Sequence, residues 1–325
     1  MKGSEAGARE RGGGRGPGRH RCACAVLAAL LTAAVCSGCA SGADGADGHP
    51  APPAAGPPGA PAPGAGLGQW AGQGRAPAVA RENARFSPAV RAALAKKWGL
   101  ASPPLIAPPP PAVKPRITTR EGFEAGDDDS LPPVFTTVPT KNRVVFLTMD
   151  GGAEKDPELL QMMDELDIPY SAFLSDRLVG DTYGYFLEMQ RLGVAVNNHT
   201  LGQSDLTGLS YDEQKSEICG QQAVIKEQFG PRPTLFRPPY GHYDEDTLRA
   251  AKSCGIKAVP LWNAEAFPDR MEWREADHEL HPGDIIRTHF RGRAEWGGSM
   301  ADLVRAVMKT VTDQGYAVAR LEDYV

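Results

Sequence analysis

The sequence predicts an α/β protein whose folded part is a closed or nearly closed parallel barrel of about seven strand and helix units. From residue 141 to residue 325, short apolar runs alternate with amphipathic segments of helical period, as in parallel strands joined by crossover helices. Before residue 140 the chain holds most of its 29 prolines and few apolar clusters, which indicates a long approach without a core. An open doubly wound sheet is the alternative arrangement of the same units.

The first unit begins with the apolar run VVFL at 144–147, which predicts a buried parallel strand that ends in a tight loop at Asp150. A helix is predicted to begin at Asp156. Ser210 and Glu213 have the spacing of a capping box and predict the start of a long helix. Further strands are predicted at 171–174, 194–200, 234–237, 256–261 and 284–289.

Residues 1–39 have the order of a bacterial export signal. A basic stretch precedes a mostly apolar segment at 23–35, which is too short and too Ala-rich for a membrane span. Small residues precede Cys39 and resemble a lipobox with Cys39 as the lipidated residue, while Cys36 stands where such signals usually carry Leu. We expect an exported lipoprotein at the outer face of the cytoplasmic membrane, with plain secretion as the alternative.

Residues 40–140 are predicted to be a linker rich in Pro, Ala and Gly, because this composition forms an extended, disordered spacer. One short helix is expected within it at 88–98, with Ser87 at the N-cap position. The net charge of -5 is small and the basic residues are scattered, which argues against nucleic acid as a partner.

Polar side chains follow several predicted strands at the point where each strand ends. Because the carboxyl ends of parallel strands meet at one end of a barrel, these side chains are predicted to form one site. Each of them alone has a structural explanation, such as fixing a turn or forming hydrogen bonds within the core. The residues are Asp150, Asn198, His199, Thr200, Arg237, Tyr240, Trp262, Glu265, Thr288 and His289.

With these motifs the chain resembles the NodB-type polysaccharide deacetylases, carbohydrate esterase family 4, over about residues 141–325. The family's first motif is T-F-D-D-G and its second is H-[ST]-x-x-H. The third is RPPYG here, the fourth is a Trp and acidic cluster that matches loosely, and the fifth ends in His. The matched segments, in motif order, are 148–152, 199–203, 237–241, 262–269 and 287–289. The resemblance implies the family's distorted (β/α)7 barrel.

The resemblance also implies a divalent metal, usually zinc, held by an Asp and two His, with a metal-bound water that attacks an acetyl carbonyl of a polysaccharide. Carried over by motif, Asp150 takes the place of the base and His289 that of the acid. Arg237 takes the place of the group that orients the base, and the backbone amide of Tyr240 faces the oxyanion. The implied partner is an extracellular or cell-wall glycan.

The metal ligands depart from the family pattern. Gly151 replaces the ligating Asp, and Gln203 replaces the second His with a neutral amide, so that His199 alone remains of three. Arg287 stands where the family has an apolar residue that lines the acetyl pocket. A buried guanidinium there requires an anionic partner or solvent, and it would repel a metal ion.

Two functions from different classes remain open, beside a purely structural barrel without glycan contact. The first is hydrolysis of N-acetyl or O-acetyl groups on an extracellular or cell-wall glycan, with weak or lost activity and an altered metal site at His199 and Gln203. The second is a catalytically inactive, lipid-anchored protein that binds glycan or supports the cell envelope. In both, Trp262, Glu265 and Arg287 are predicted to line the substrate groove.

Cys219 and Cys254 are the two cysteines outside the export signal, because the other four lie at or before Cys39. An exported domain with a single pair is expected to form a disulfide. Both lie on consecutive predicted helices, which can be neighbours on the outside of a barrel. Two buried free thiols are the alternative.

The lipid anchor can be tested directly. Radiolabelled fatty acid should enter the wild-type protein and should be absent from Cys39→Ala, because only a thiol at the start of the mature chain can carry the acyl groups. Equal release of both proteins into the medium would count against the anchor.

Overall fold

The computed structural model describes residues 87–325, and the predictions for the export signal, Cys39 and residues 40–86 of the linker lie outside this range. The helices are α1 (Pro88–Lys97), α2 (Pro157–Leu166), α3 (Asp176–Val179), α4 (Tyr183–Arg191), α5 (Tyr211–Phe229), α6 (Glu245–Ser253), α7 (Arg293–Trp296) and α8 (Met300–Asp313). Short 3-10 helices lie at Leu206–Gly208, Pro239–Gly241 and Leu321–Asp323. None of the helices in this range is both long and apolar enough to cross a bilayer.

The strands are β1 (Val134–Phe135), β2 (Val144–Gly151), β3 (Ser171–Leu174), β4 (Ala195–Asn198), β5 (Val259–Pro260), β6 (Ala264–Ala266), β7 (Met271–Trp273), β8 (Ile285–His289) and β9 (Ala317–Val318). β2 lies at the centre, with β3 and β8 parallel on its two sides and β9 paired with its first residues. β4 continues the sheet beyond β3, and β6 continues it beyond β8. All eight residues of β2 are buried, as expected for a parallel strand covered on both faces.

Single bridges close this sheet into a barrel. The segment at 235–236 bridges β4 on one side and the residue before β5 on the other. β5 pairs in parallel with β1, and the amide of Ile285 in β8 donates to the carbonyl oxygen of Thr136, directly after β1, at 3.2 Å. The ring therefore runs through β2, β3, β4, the 235–236 segment, β5, β1 and β8. The expected distorted barrel of seven units is confirmed.

The helix boundaries follow local capping signals. The side chain of Asp156 accepts a hydrogen bond from the amide of Glu158 at 2.9 Å at the start of α2. Ser210 and Glu213 form the expected capping box of α5. α5 ends at Gly230, whose φ of 101° lies in the region that favours glycine. These caps fix where each helix leaves the barrel wall.

The antiparallel hairpin of β6 and β7 is a feature that the sequence analysis does not predict. β7 folds back on β6, which itself pairs in parallel with β8. Each of the two strands has three residues, which is too short for an alternation of apolar and polar residues to be recognised. The hairpin matters for the site because β6 carries Glu265 next to Arg287 of β8.

The predicted boundary at residue 141 is wrong, because the barrel begins before it. β1 is fully within the ring and buried. Upstream of β1, Arg120 donates to Asn263 Oδ1 at 2.9 Å, and Lys114 donates to two carbonyl oxygens in the last four residues of the chain. The expected short helix is present as α1, with Ser87 as its N-cap. A Pro-rich composition gives no sign of such long-range contacts, so the linker prediction fails for this part of the chain.

The disulfide between Cys219 and Cys254 is present and joins α5 to the C-cap residue of α6. The two Cα atoms lie 5.0 Å apart, within the usual range for a disulfide. The two helices are therefore neighbours on the outside of the barrel. The prediction made from the cysteine count is confirmed.

Removal of this disulfide should destabilise the protein. The bridge closes a loop over a sequence separation of 35, so the double variant Cys219→Ser, Cys254→Ser is expected to lose about 3 to 4 kcal/mol of unfolding free energy. Urea denaturation of both proteins measures the loss. Two titratable thiols in denatured, unreduced wild-type protein would contradict the bridge.

Candidate active site

The centre of the candidate site is Asp150, near the carboxyl end of β2. It is 1% exposed and pairs in register with Phe173 of β3 and His289 of β8. Its Oδ1 accepts a hydrogen bond from Arg237 Nη1 at 2.7 Å, and neither side chain has exposed area. A carboxylate taken out of water requires such a partner, because an unpaired buried charge is costly.

Arg237 is held by contacts from several parts of the barrel. Its Nε donates to the carbonyl oxygen of Pro260 at 2.8 Å, and Nη1 also donates to Thr148 Oγ1 at 2.9 Å. The guanidinium lies 4.3 Å from the ring centroid of Phe173. Because these partners lie on or beside different strands, the guanidinium is fixed opposite Asp150. This is the contact that the predicted orienting role of Arg237 requires.

Asp150 is ionised in this environment. Burial by itself raises the pKa of a carboxyl group, but the Arg237 guanidinium, helped by Arg287, holds the pKa of Asp150 below its ordinary value. Its second oxygen, Oδ2, is buried without a hydrogen-bond partner. The carboxylate therefore has one oxygen committed to Arg237 and one that can accept a hydrogen bond from another group.

His199 presents a lone pair to the site. Its Nδ1 lies 2.7 Å from the carbonyl oxygen of Arg237, which can only accept, so Nδ1 must carry the proton. Nε2 is then an acceptor or a metal ligand. Burial lowers the pKa of His199 below its ordinary value, although Asp150 opposes the shift, and the ring is uncharged at neutral pH.

Arg287 has the anionic partner that its burial requires. Its Nη2 forms an ion pair with Glu265 Oε2, and both side chains are mostly buried. On its other side the guanidinium lies 3.3 Å from the ring centroid of Trp262. Arg287 therefore contacts both of the other predicted groove residues, Glu265 and Trp262.

His289 lies at the same end of the barrel but has no close hydrogen bond. Its Nδ1 is 3.6 Å from Glu265 Oε1, which is too long for a hydrogen bond. Burial lowers the pKa of His289 to about 3, although Asp150 opposes the shift. The imidazole is therefore neutral at physiological pH. As a general acid it would require a group that protonates it, so the predicted acid role stays a prediction.

The two replaced ligand positions face each other. A side chain at position 151 would begin 3.8 Å from Gln203 Nε2 and 3.2 Å from a methyl group of Leu178. Gly151 has a φ of 97° and Gln203 a φ of 55°, so both backbones lie in the left-handed region. The structure thus brings the aligned positions together, but it supplies no anion at one of them and only an amide at the other.

The comparisons with known proteins agree with this geometry. The family model described as polysaccharide deacetylase matches residues 137–259. An uncharacterized protein of Streptomyces coelicolor is 41% identical over 196 residues, which cover 60% of this chain and 78% of that protein. The chain belongs to the NodB-type polysaccharide deacetylases, carbohydrate esterase family 4.

Other members of the family extend the comparison. The peptidoglycan-N-acetylmuramic acid deacetylase PdaC of Bacillus subtilis is 30% identical over 205 residues, which cover 60% of this chain and 42% of that protein. Among solved structures, a carbohydrate esterase family 4 pseudoenzyme from Bacillus anthracis has a TM-score of 0.52 at 20% identity, covering 60% of this chain and 70% of that chain. At this identity the structural likeness shows the fold alone.

The donor set does not fit the metal on which the family's chemistry depends. Within residues 87–325, no group of three or more His, Cys, Asp or Glu side chains is arranged to hold a metal ion. Gly151 offers no donor, Gln203 offers a neutral amide, and the Arg287 guanidinium lies close enough to lower the pKa of His199. A catalytic zinc site normally has three protein ligands. His199 with Gln203, the predicted weak metal pair, falls short of that number.

Tyr240 stands apart from the buried charges. It is 60% exposed, and its hydroxyl donates to the carbonyl oxygen of Gln203 at 3.4 Å. Its φ of 61° places the residue in the left-handed region within the turn after Arg237. An exposed aromatic ring is therefore held at the edge of the site, while the predicted role of its backbone amide stays a prediction.

Two residues that contribute to the site, Thr148 and Phe173, were not predicted as site residues. Thr148 accepts from Arg237 and donates its hydroxyl hydrogen to the carbonyl oxygen of Ile286 at 3.0 Å, which ties β2 to β8 below the carboxylate. Phe173 supplies the ring that lies under Arg237. Thr148 lies in the first motif, and its place there could have identified it as a site residue. Phe173 lies within an apolar strand, where nothing in the sequence distinguishes it from other core residues.

Restoring a carboxylate at position 151 should carry a cost in stability. At a φ of 97°, any residue with a Cβ is strained, so Gly151→Asp is expected to lose about 1 to 3 kcal/mol of unfolding free energy. Gly151→Ala should show a similar loss without the charge. Gly208→Ala, where no atom lies within 4 Å of the added Cβ, serves as the control and should change little. Urea denaturation that finds Gly151→Asp as stable as wild type would contradict the strain.

Proposed function

We propose that the chain is a glycan-binding member of its family that has lost, or nearly lost, the hydrolysis of acetyl groups. The observation that carries the proposal is the donor set around Asp150. Two of the three ligand positions hold Gly151 and Gln203, and the nearby cation is a guanidinium of the chain itself, Arg287. Without a bound metal, there is no Lewis acid to lower the pKa of water and to polarise an acetyl carbonyl, as the family's chemistry requires.

The same pocket keeps features that suit a sugar polymer. Trp262 and Arg287 stack at its wall, and the exposed ring of Tyr240 lies at its edge. Aromatic rings offer large contact area at low conformational cost. Beside the site, the ring of Trp296 contacts His289 edge-on at 6.1 Å and borders a groove of about 730 Å³ along α8. Trp296 is therefore the residue through which this groove touches the site.

The glycan that we propose is a cell-wall polymer. The Bacillus subtilis relatives PdaC and PdaA are named as deacetylases of N-acetylmuramic acid in peptidoglycan. An anchor at Cys39 at the outer face of the cytoplasmic membrane would hold the domain near such a polymer. The sequence order of residues 1–39 supports this location.

A slow hydrolase is the second candidate, and one observation favours it. Asp150 Oδ2 has no hydrogen-bond partner, and the tautomer of His199 leaves Nε2 as an acceptor. Two acceptors that reach the same water molecule can hold it by its hydrogens and remove a proton from it. The low pKa of Asp150 makes it a weak base, so any such reaction is expected to be slow.

The purified wild-type protein decides between these functions. We expect well under one zinc per chain by elemental analysis, and acetate release from N-acetylated glycan at the background rate, unchanged in Asp150→Asn. Under the same conditions the protein should co-sediment with insoluble peptidoglycan.

Three other outcomes would contradict this proposal or parts of it. Stoichiometric zinc together with brisk acetate release that Asp150→Asn abolishes would identify an active enzyme. Failure to co-sediment with peptidoglycan would remove the proposal that the glycan is this cell-wall polymer. Slow acetate release that persists after removal of metal would favour the second candidate.

A further inference from the structure

The charges of the pocket balance without a metal ion. Asp150 pairs with Arg237, and Glu265 pairs with Arg287, so two carboxylates meet two guanidinium groups one to one. A divalent cation added here would bring two positive charges and find no carboxylate still unpaired among these four residues. Uncompensated charge in a buried site is costly. The arrangement therefore opposes metal and already contains a positive group of its own.

That positive group is fixed in place. Arg287 lies in β8, opposite Thr148 of β2 and Glu265 of β6, with strand pairing on both sides. Its guanidinium is held between the Glu265 carboxylate and the face of Trp262. A planar, always charged group in such a clamp is pre-organised for directional hydrogen bonds. It differs in this respect from a flexible surface cation.

Two atoms of opposite type in this pocket lack partners. Asp150 Oδ2 is a buried acceptor without a donor, and Arg287 Nε is a buried donor without an acceptor. In the described part of the chain, the other buried side-chain atoms of this kind are the hydroxyl oxygens of Tyr170 and Tyr324. Leaving a buried polar atom unpaired costs free energy, so a partner that satisfies both atoms is favoured.

We propose that Arg287 takes the place of the metal ion as the fixed positive group of this pocket, and that the pocket binds a neutral polar group of a glycan between Arg287 Nε and Asp150 Oδ2. The inference rests on the proposed function and specifies how that same site binds. Arg287 donates to the ligand, and Asp150 accepts from it. Arg287 is thus a specificity-determining residue.

The charge balance selects the chemistry of the ligand. An acetamido group and a sugar hydroxyl each carry a donor and an acceptor and add no charge. The ammonium group of a de-N-acetylated sugar carries donors only, and it adds a positive charge beside Arg287 and Arg237 that the pocket cannot pair. The pocket therefore discriminates against the deacetylated form of the same glycan.

Calorimetric titration with three soluble oligosaccharides tests this inference. The ligands are an N-acetylated chito-oligosaccharide, its de-N-acetylated counterpart and a cello-oligosaccharide of equal length. The wild type should bind the acetylated ligand equally well with and without excess EDTA, and should bind the ammonium form more weakly. Arg287→Lys, which keeps the charge but loses Nε–H, should weaken binding about tenfold or more, the usual effect of losing a hydrogen bond to a charged group.

A matched control and the cello-oligosaccharide complete the design. Arg249→Lys, on the exposed face of α6, should bind as the wild type does. If the cello-oligosaccharide binds as strongly as the N-acetylated chito-oligosaccharide, the bound group is a hydroxyl. If the cello-oligosaccharide does not bind, the bound group is an acetamido group. Both results agree with the inference. Release by EDTA, unchanged binding in Arg287→Lys, or equal binding of the ammonium form would overturn it.

A zinc titration separates this inference from the proposed function. In a titration with zinc alone, the wild type should show no stoichiometric binding that depends on His199. His199→Ala should therefore give the same result as the wild type. If the wild type takes up one zinc in this His199-dependent way, the replacement of the metal by Arg287 is refuted, even where glycan still binds. If none of the saccharides and no peptidoglycan bind, the proposed function fails, and the zinc titration decides the role of Arg287 independently.

Discussion

The buried ion pair between Asp150 and Arg237 is the constraint on which the site depends. Arg237 follows the 235–236 segment, yet it reaches Asp150 and Thr148 of β2 and the carbonyl oxygen of Pro260 in β5. The pair thus joins strands that lie on different sides of the ring. Because each charge alone would be uncompensated in the barrel, neither residue can change without the other losing its partner.

Much of the fold could be predicted because its signals are local. Apolar strands, capping residues and glycines at helix ends predicted the barrel units, and the strand ends predicted where Asp150, His199 and Arg237 would meet. The pairing of Cys219 with Cys254 followed from the export signal and the cysteine count. In each case a short stretch of chain, or a simple count, contained the necessary information.

The rest depends on contacts between distant residues. The sequence indicated that Arg287 required an anionic partner or solvent, but only the register of β6 with β8 shows that the partner is Glu265. β1 has two residues, and its membership of the barrel depends on pairing with β5 across more than a hundred residues. The strain at Gly151 is likewise a property of the folded backbone.

The contribution of β1 to the barrel affects how the protein would bear mechanical load. The chain that leads from residue 87 to the barrel is fastened by α1, by Lys114 and by Arg120 before it enters the ring as β1. β1 pairs with β5, and β5 leads directly to Trp262 at the wall of the pocket. If the proposed anchor at Cys39 and the proposed glycan binding both hold, a pull between them would reach the barrel through residues 87–135. The strand that completes the barrel would then also transmit that pull, through β5, to Trp262 at the proposed binding site.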